Sequence, residues 1–356
     1  MSTQNLARRT VVGVSINGTD VTNDIQSYLL SCTYTDAQDG EVDDLQLELQ
    51  DRDGNWLQNW LTGVLDKAAE GESGGLSISA VIMTRNWSGA GGDDVLECGT
   101  FEVDSIQAAG PPSVVPLKAT AAPFTTAIRQ TKMSRNWESY NLRGIATEIA
   151  SSHGMSCLYE AAQNPYYSRV EQFQTGNIEF LYGLCRSAGI SVKVYNGMII
   201  LFDQAAYERR NVIKTIRCKD GTYEKYKLTT GKADTEYTSC RVSYTRASGE
   251  YIEAIAYVED YEDGKDSNQQ LEVTAACTNT GEALRLAEKH LRLHNKFQRQ
   301  ATFTLPGNTT VASGATVQLN DFGLWSGKYI IEEAKHSVSR KGYTTQIKMR
   351  AALEGY

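Results

Sequence analysis

The sequence has no apolar run that approaches the roughly 18 residues a membrane-spanning helix requires. Its first segment, MSTQNLARRT, also lacks the apolar stretch of a signal peptide. We therefore expect a protein that is not inserted into a membrane and that carries no signal for the usual secretion route.

Runs of basic residues are missing as well, and the formal net charge of the 356 residues is -8. Affinity for nucleic acids depends mainly on clustered lysine and arginine side chains that contact phosphates. The composition therefore argues against a large phosphate-binding surface.

The cysteines form no CxxC pair and have no histidine at ligand spacing. This pattern speaks against the common zinc motifs and against a disulfide framework. We expect seven reduced core cysteines in a protein made in a cytoplasm, at Cys32, Cys98, Cys157, Cys185, Cys218, Cys240 and Cys277.

The sequence motifs of common enzymes are absent. There is no GxSxG elbow and no glycine-rich phosphate loop, and His153 and His336 have no nucleophile near them in sequence. His290 and His294 are four residues apart on a predicted helix, a spacing that could place two imidazoles on one zinc ion. Leu291 stands where a metalloprotease helix has its glutamate, and no third ligand is evident. We predict no catalytic residue, no metal site and no cofactor.

The most informative segment that is present runs from Tyr34 to Trp56. Three leucines, Leu45, Leu47 and Leu49, alternate with polar residues, which is typical of a half-buried antiparallel strand. Asp51, Asp53 and Gly54 follow and indicate a turn, in which aspartate side chains accept bonds from backbone amides.

The same turn raises the hypothesis of a calcium loop with ligands at Asp51, Asp53 and Asn55. An EF-hand loop has glycine at its sixth position and glutamate at its twelfth. Here Gly54 is fourth and Thr62 is twelfth. The sequence therefore favours an ordinary turn.

Three helices are predicted between Leu142 and Asn295. The first spans Leu142 to His153 and ends at Gly154. The second is capped by Thr175 and ends at Gly189. The third spans Asn279 to Asn295, with Asn279 and Glu282 as a capping-box start and a buried face formed by Ala283, Leu284, Ala287 and Leu291.

After the second helix, a β-hairpin turns at Asn196-Gly197, a dipeptide that favours a type I′ turn. Residues from about 137 to 203 therefore form a small helix-strand-helix-hairpin domain, with Trp137 alone at its edge. Surface breakers are predicted at three segments: 66–75, Gly110-Pro111-Pro112-Ser113 and Glu259 to Gln270.

Two distant segments of the chain resemble each other. ECGTFEVDSIQ and WSGKYIIEEAK match at one constant spacing, with Gly99, Phe101, Val103 and Ile106 opposite Gly327, Tyr329, Ile331 and Ala334. After a loop, residues 117–122 match residues 347–352, the second loop being two residues longer. We interpret the two copies as a duplicated β-barrel, although many hairpins share a Gly-x-aromatic end. Three such chains would give six related barrels, the geometry of an adaptor between a threefold and a sixfold partner.

Several blocks resemble the phage late control D family. They are INGTDVTNDIQSYLLSCTYTDAQDGEVDDLQLELQDRDGNW, CGTFEVDSIQAAGPPS, SRNWESYNLRGIATEIASSHGMSCLYE and the terminal GKYIIEEAKHSVSRKGYTTQIKMRAALEGY. They occur in the order that this family has, and the chain departs from its pattern in a longer glycine-rich loop at Val64–Gly75.

The resemblance implies a baseplate hub of a contractile phage tail or tail-like bacteriocin, similar in architecture to the base of type VI secretion spikes. It implies a homotrimer whose partners are the tail tube protein, the central spike protein, the tape measure protein and baseplate wedge proteins. DNA would pass through the hub of a true phage. Such a protein resides in the tail baseplate of a virion or phage-tail-like particle, assembled in the bacterial host cytoplasm.

We therefore predict a mainly β fold with an α+β insertion. Two related tube-type β-barrel domains would occupy residues 1–130 and 206–356, with a small α/β domain at 131–205 and a polar loop and helix inserted at about 250–298. The protein would be structural and not an enzyme. We expect acidic side chains in its lumen to repel DNA phosphates. The alternative is a module that binds or cleaves peptidoglycan, and the sequence leaves open whether the particle carries a genome.

Overall fold

The computed structural model describes residues 7–353 except for 41, 57, 59–75, 88, 90, 122–131, 232–235, 260 and 266–267. Strands account for most of the regular structure in this part of the chain, so the predicted mainly β fold is confirmed. The predicted loop at Val64–Gly75 lies outside the described residues.

The described N-terminal part of the chain consists mainly of antiparallel strands, with a short helix between two of them. The strands are β1 (Arg9–Ile16), β2 (Thr19–Asp20), β3 (Leu29–Ala37), β4 (Asp44–Gln50), β5 (Ser77–Arg85), β6 (Asp94–Ile106) and β7 (Val114–Thr120), and the helix is α1 (Thr22–Gln26). The predicted alternation is confirmed in β4, where the three leucines are at most 2% exposed and Gln46 between them faces solvent. Strand β4 therefore packs on the core with its leucine face, and its other face points away from the core.

A small unit follows, which we define as residues 133–202. Its elements are β8 (Met133–Asn141), α2 (Leu142–Ser152), β9 (Ser156–Tyr159), β10 (Tyr166–Thr175), α3 (Asn177–Ala188), β11 (Ser191–Tyr195) and β12 (Met198–Phe202). The hairpin prediction is confirmed: Asn196 and Gly197 both have positive φ, as a type I′ turn requires. The antiparallel ribbon of β8 and β10 was not predicted.

Two predictions for this unit are wrong. Thr175 does not cap α3, because β10 continues through it and its carbonyl accepts a 3.0 Å bond from the Gln172 side chain; Gly176 takes the N-cap position. Trp137 is not at an edge but 1% exposed, since it lies against Tyr140 and Phe180 with ring centroids 5.2 and 6.4 Å away.

The remaining chain begins with α4 (Gln204–Glu208) and completes the large sheet. Its sheet strands are β13 (Val212–Arg217), β14 (Lys225–Thr230), β18 (Arg299–Pro306), β19 (Thr316–Asn320), β20 (Gly327–Ser339) and β21 (Gly342–Ala351). Between β14 and β18, a separate small sheet lies under the longest helix. It comprises β15 (Ser239–Thr245), β16 (Tyr251–Tyr257), β17 (Gln270–Thr274) and α5 (Thr280–Asn295).

Helix α5 starts as predicted, since the Asn279 side chain accepts a 2.9 Å bond from the Glu282 N–H. Ala283, Ala287 and Leu291 are fully buried against β15 and β16. Leu284 is 40% exposed, so its predicted place on the buried face is wrong. It lies one residue, about 100°, around the helix from Ala283, and therefore outside the contact strip.

Thirteen of the described strands share one sheet, in the order β14-β18-β21-β20-β3-β4-β7-β6-β5-β1-β2, with β19 on β20 and β13 on β19. Four hydrophobic clusters fill the interior: one in each half of this sheet, one in the small unit and one beneath α5. Of the seven cysteines, all are free, and Cys157 and Cys218 are only partly buried.

No helix in the described part of the chain is long and apolar enough to cross a membrane.

Candidate functional site: the junction of two strand repeats

The two segments that match in sequence form two hairpins of the same design. In β6–β7, Val103 pairs with Ala119 and Ser105 with Lys118, so Asp104 is an extra residue. In β20–β21, Ile331 pairs with Met349 and Glu333 with Lys348, and the extra residue is Glu332. Because a β-bulge redirects a strand at one defined position, two bulges at matching positions indicate a structural repeat.

The repeat extends to the strands that flank these hairpins. Strand β4 pairs with β7 in the same register in which β18 pairs with β21. The equivalent residues are buried in both strands: Leu45, Leu47 and Leu49 in β4, and Ala301, Phe303 and Leu305 in β18. On the outer side, β3 pairs with β4 as β14 pairs with β18. We call β3, β4, β6 and β7 the first repeat, and β14, β18, β20 and β21 the second repeat.

The repeats are joined where the second half of β20 pairs with β3, from Glu333 opposite Ala37 to Ser339 opposite Ser31. We call this pairing the junction. His336 stacks on Tyr34 there, with ring centroids 6.0 Å apart. Its two ring nitrogens lie 2.8 Å from the Tyr343 hydroxyl and 3.1 Å from the Val311 carbonyl. Burial lowers the pKa of His336 to about 4, so its imidazole is neutral at neutral pH.

A buried cluster of charges fastens the small unit to the junction. Asp36 of β3 accepts two 2.7 Å bonds from Ser313, one from its N–H and one from its hydroxyl. Lys193 of β11 forms an ion pair with Asp36, donates to the Ala37 carbonyl at 2.8 Å, and lies 3.5 Å from Asp43. Burial disfavours the charge on Lys193, but both carboxylates outweigh it and raise its pKa.

Asp43 of this cluster is 0% exposed and accepts a 2.9 Å bond from the Ala37 N–H. Burial raises the pKa of Asp43 to about 7, against the opposing attraction of Lys193. Two carboxylates therefore share one ammonium group, and the cluster is sensitive to protonation.

A second charge cluster lies where α4 and α5 meet β20 and β21. Arg350 is fully buried and lies 2.6 Å from Glu208 and 3.0 Å from Glu332, and it donates to Gln204. Arg292 of α5 forms an ion pair with Glu208 from the other side. Such buried pairs fix orientation more than they add stability, because desolvation offsets most of their attraction. Both clusters therefore hold the small unit and α5 in place on the two repeats.

The residues that the sequence raised as metal or catalytic candidates lie apart from these clusters. His290 and His294 lie on α5, and among the described residues there is no group of three ligands that could hold a metal ion. His153 contacts the Asn177 side chain at the end of α2. Asp51 accepts a 3.0 Å bond from the Trp56 N–H, so the predicted turn with an aspartate cap is confirmed.

Sequence reasoning missed the charged residues of both clusters. Lys193 stands between Val192 and Val194, and alternation alone assigns it to a solvent face. Arg350 carried one usable signal, because it occupies the position in the second repeat that Thr120 occupies in the first. An arginine at a position that the first copy leaves uncharged indicates a partner specific to the second copy.

Comparison with known proteins shows that the chain is similar to phage tail proteins. The Phage-tail_3 family, described as "Putative phage tail protein", matches residues 180–323. The chain is 23% identical over 188 residues to the "Probable baseplate hub protein" of Escherichia phage 186, and 26% identical over 193 residues to that of Escherichia phage P2. Each match covers 52% of this chain but 43% of the relative, so less than half of the relatives' length is matched.

Solved structures show the same fold. A 43 kDa tail protein of a Shewanella oneidensis prophage is similar with a TM-score of 0.69, 12% identity and coverage of 97% of this chain and 99% of that one. An Escherichia coli component of the type VI secretion system, itself similar to the bacteriophage T4 tail proteins gp27 and gp5, has a TM-score of 0.56 at 11% identity, over 96% and 78% of the two chains. The relatives confirm the predicted place in a phage-tail particle. The chain is thus similar to phage tail proteins, among them the baseplate hub proteins of phages 186 and P2.

Proposed function

We propose that this chain is the structural hub of a contractile tail baseplate and works as a homotrimer. Its two repeats would serve as tube-type barrel domains, at about residues 1–130 and 206–356, with the 131–205 domain attached to their outer side. Three chains then present six similar hairpins in one ring. Such a ring matches a sixfold tail tube on one face and a threefold spike on the other.

The observation that carries this proposal is the shared bulge of the two hairpins. Asp104 and Glu332 occupy equivalent places, and the strands around them have equal registers. A sixfold tail tube needs six equivalent binding surfaces at the same height. Three chains with two repeats each would supply six. The curated hub relatives of phages 186 and P2 support the same role.

The partners follow from this geometry. The upper face would continue the tail tube protein, the lower face would hold the central spike protein, and the channel would meet the tape measure protein. Baseplate wedge proteins would contact the outside, where the small unit lies in this proposal. DNA would pass through the channel if the particle is a genome-carrying phage. We assign no catalytic step to the protein, because its buried charge clusters are used in holding the units together.

The proposal is tested by measuring mass in solution with light scattering, followed by electron microscopy. We expect a species of three times the 39.3 kDa chain mass, seen as a ring of three, that binds purified tail tube protein at one end. A chain that stays monomeric at every concentration, both alone and with tube and spike proteins, would overturn the proposal.

Peptidoglycan binding or cleavage is the alternative function. The observation that favours it is the exposure of Tyr166 and Phe173 on β10, at 66% and 70%, since aromatic faces can stack on sugar rings. Incubation of the protein with purified cell walls decides between the two functions. Sedimentation with the walls, or release of soluble fragments, would support the alternative.

A further inference from the structure

The described sheet has several open edges, and two of them are the edge of β14 and the edge at the end of β6. Strand β14 ends the sheet path, and beyond Val103 the end of β6 pairs only with β7. Both edges are open to solvent: Tyr226 is 51% exposed, and residues 107–110 are exposed. An unpaired edge offers a row of N–H and C=O groups to another chain, so proteins normally cover it.

The junction inside the chain shows what covers such an edge. There β20 lies beside β3, with Ala334 opposite Asp36, Lys335 opposite Thr35 and His336 opposite Tyr34. Strand β20 belongs to the second repeat and β3 to the first. The reverse pairing, of β6 from a first repeat with β14 from a second, does not occur within the described chain.

Because the two repeats are equivalent, the register of the junction predicts the register that β6 and β14 would have if they paired. The hairpin match places Gln107 where Lys335 stands and Ala108 where His336 stands. The outer-strand match places Thr229 where Thr35 stands and Leu228 where Tyr34 stands. Each equivalence follows from observed pairings alone.

We propose that the end of β6 in one copy pairs antiparallel with β14 of the next copy, with Gln107 opposite Thr229 and Ala108 opposite Leu228. The inference rests on the proposed homotrimer and adds its interface. The contact is heterologous, so three identical contacts close the ring and leave neither edge open.

The backbone directions of both strands fit this pairing. Gln107 and Ala109 donate their N–H groups to Pro116 and Val114 of the same hairpin, so the backbone groups of Ile106 and Ala108 point away from β7. In β14, Gly231 donates to Gln298 beside β18, so Tyr226, Leu228 and Thr230 point their backbone groups outward. The two edges therefore expose complementary groups at the positions that the inferred register brings together.

The same match predicts that the contact between chains is weaker than the junction. The first hairpin is shorter by two residues, and Ala108 and Leu228 replace the stacked pair of His336 and Tyr34. At the junction, Val338 and Tyr343 of the second hairpin also pack into the core of the first repeat. The contact between chains lacks equivalents of these two side chains. A weaker contact of this kind is expected between chains that fold as monomers before they assemble.

Cross-linking through introduced cysteines tests the register. Gln107 and Thr229 would form a non-hydrogen-bonded pair, whose Cβ atoms are ~4.5–5.5 Å apart, close to what a disulfide needs. We expect the double variant Gln107→Cys/Thr229→Cys to become a covalent trimer under mild oxidation of the assembled protein. The matched control, Gln107→Cys/Lys227→Cys, moves one cysteine two residues along the same face, to a diagonal distance of ~7–8 Å, and should lose the cross-link.

The outcomes separate this inference from the hub proposal. Trimers by mass that cross-link in the control pair, or in neither pair, would overturn the register and leave the hub proposal standing. A protein that is monomeric before oxidation and with its tail partners overturns both. The wild-type chain, with its seven free cysteines, shows the background on the same non-reducing gel.

A backbone variant gives a second readout. Ala108→Pro removes an N–H that points away from β7, so the hairpin of each chain keeps its own bonds. We expect the melting temperature of the monomer to be unchanged and the trimer to be lost, whereas Ala108→Ser, which keeps the N–H, assembles normally. A trimer that survives Ala108→Pro with unchanged mass contradicts the proposed strand pairing.

Discussion

Lys193 of β11 forms an ion pair with Asp36 of β3, across 157 residues of sequence. Ser313, which precedes β19, bonds to the same carboxylate. One buried contact thus joins the first repeat, the small unit and the segment between β18 and β19. In a hub, this contact would hold the small unit at a fixed angle to the ring.

Loss of the ammonium group in Lys193→Met should destabilise the protein strongly. The variant leaves Asp36 and Asp43 buried without a cation, and removal of one partner from a buried pair costs about 3–5 kcal/mol. Urea unfolding measures the change. The control is Lys348→Met, which breaks an exposed pair with Glu333 and should cost about 1 kcal/mol or less. Equal losses in the two variants would show that the Lys193 cluster is solvated.

The stability of the protein should depend on pH through Asp43. Its pKa is about 7 in the folded protein and near 3.8 in the unfolded chain, so the folded state binds more protons between these values. The contribution of Asp43 to stability is therefore fully present below about pH 4 and is lost as the pH rises through about 7. Asp43→Asn removes this dependence, and its stability relative to wild type should increase over that window.

His336 acts in the opposite direction over nearly the same window. Its folded pKa of about 4 lies below the 6.5 of the unfolded chain, so its contribution increases as the pH rises from about 4 to 6.5. The wild-type protein alone is therefore an ambiguous probe. The difference between wild type and Asp43→Asn, measured by urea unfolding at several pH values, isolates Asp43. A difference that is constant with pH would contradict the raised pKa of Asp43.

The strand that occurs twice gives a paired prediction. Leu47→Asp and Phe303→Asp each place an unpaired carboxylate in a core, at equivalent positions of β4 and β18. Each should cost about 4 kcal/mol or more, enough to prevent folding. The control Gln46→Asp changes an exposed residue of the same strand and should stay within about 0.5 kcal/mol of wild type. Thermal unfolding followed by circular dichroism decides the matter.

At the turn after β4, the two aspartates should differ in effect. Asp51 is 3% exposed and accepts a bond from the Trp56 N–H, whereas Asp53 is exposed. Asp51→Ala should cost about 1 kcal/mol or somewhat more from the lost cap, and Asp53→Ala about 0.5 kcal/mol or less. The same unfolding assay compares them, and a larger loss in Asp53→Ala would contradict the assigned cap.

What could be predicted from the sequence is what local periodicity determines. The leucines of β4, the Asn279 cap and the Asn196-Gly197 turn are set by neighbours in sequence, and the structure has them as expected. Lys193 could not be assigned, because a strand's second face is covered or open depending on segments far away in the chain. The predictions for Leu284 and Thr175 were wrong for a related reason. Local sequence preferences do not determine how wide the buried face of a helix is or at which residue a strand ends.

Arg350 offers the sharpest test of the second charge cluster. It is fully buried between Glu208 and Glu332, and its counterpart in the first repeat is Thr120. Arg350→Met should cost about 3–5 kcal/mol, because Glu332 loses its ion pair and Glu208 loses one of its two arginine partners.

A double-mutant cycle then separates the pair from the rest of the cluster. Glu332→Gln removes the carboxylate that Arg350→Met leaves unpaired, so the double variant should recover part of the loss, with a coupling of about 0.5–3 kcal/mol. Additive losses, measured by urea unfolding of all four proteins, would mean that Arg350 and Glu332 act independently. A measured coupling would establish a buried ion pair within the second repeat that the first repeat lacks, because Thr120 stands there at the position of Arg350. The two copies would then share a strand design but not this ion pair.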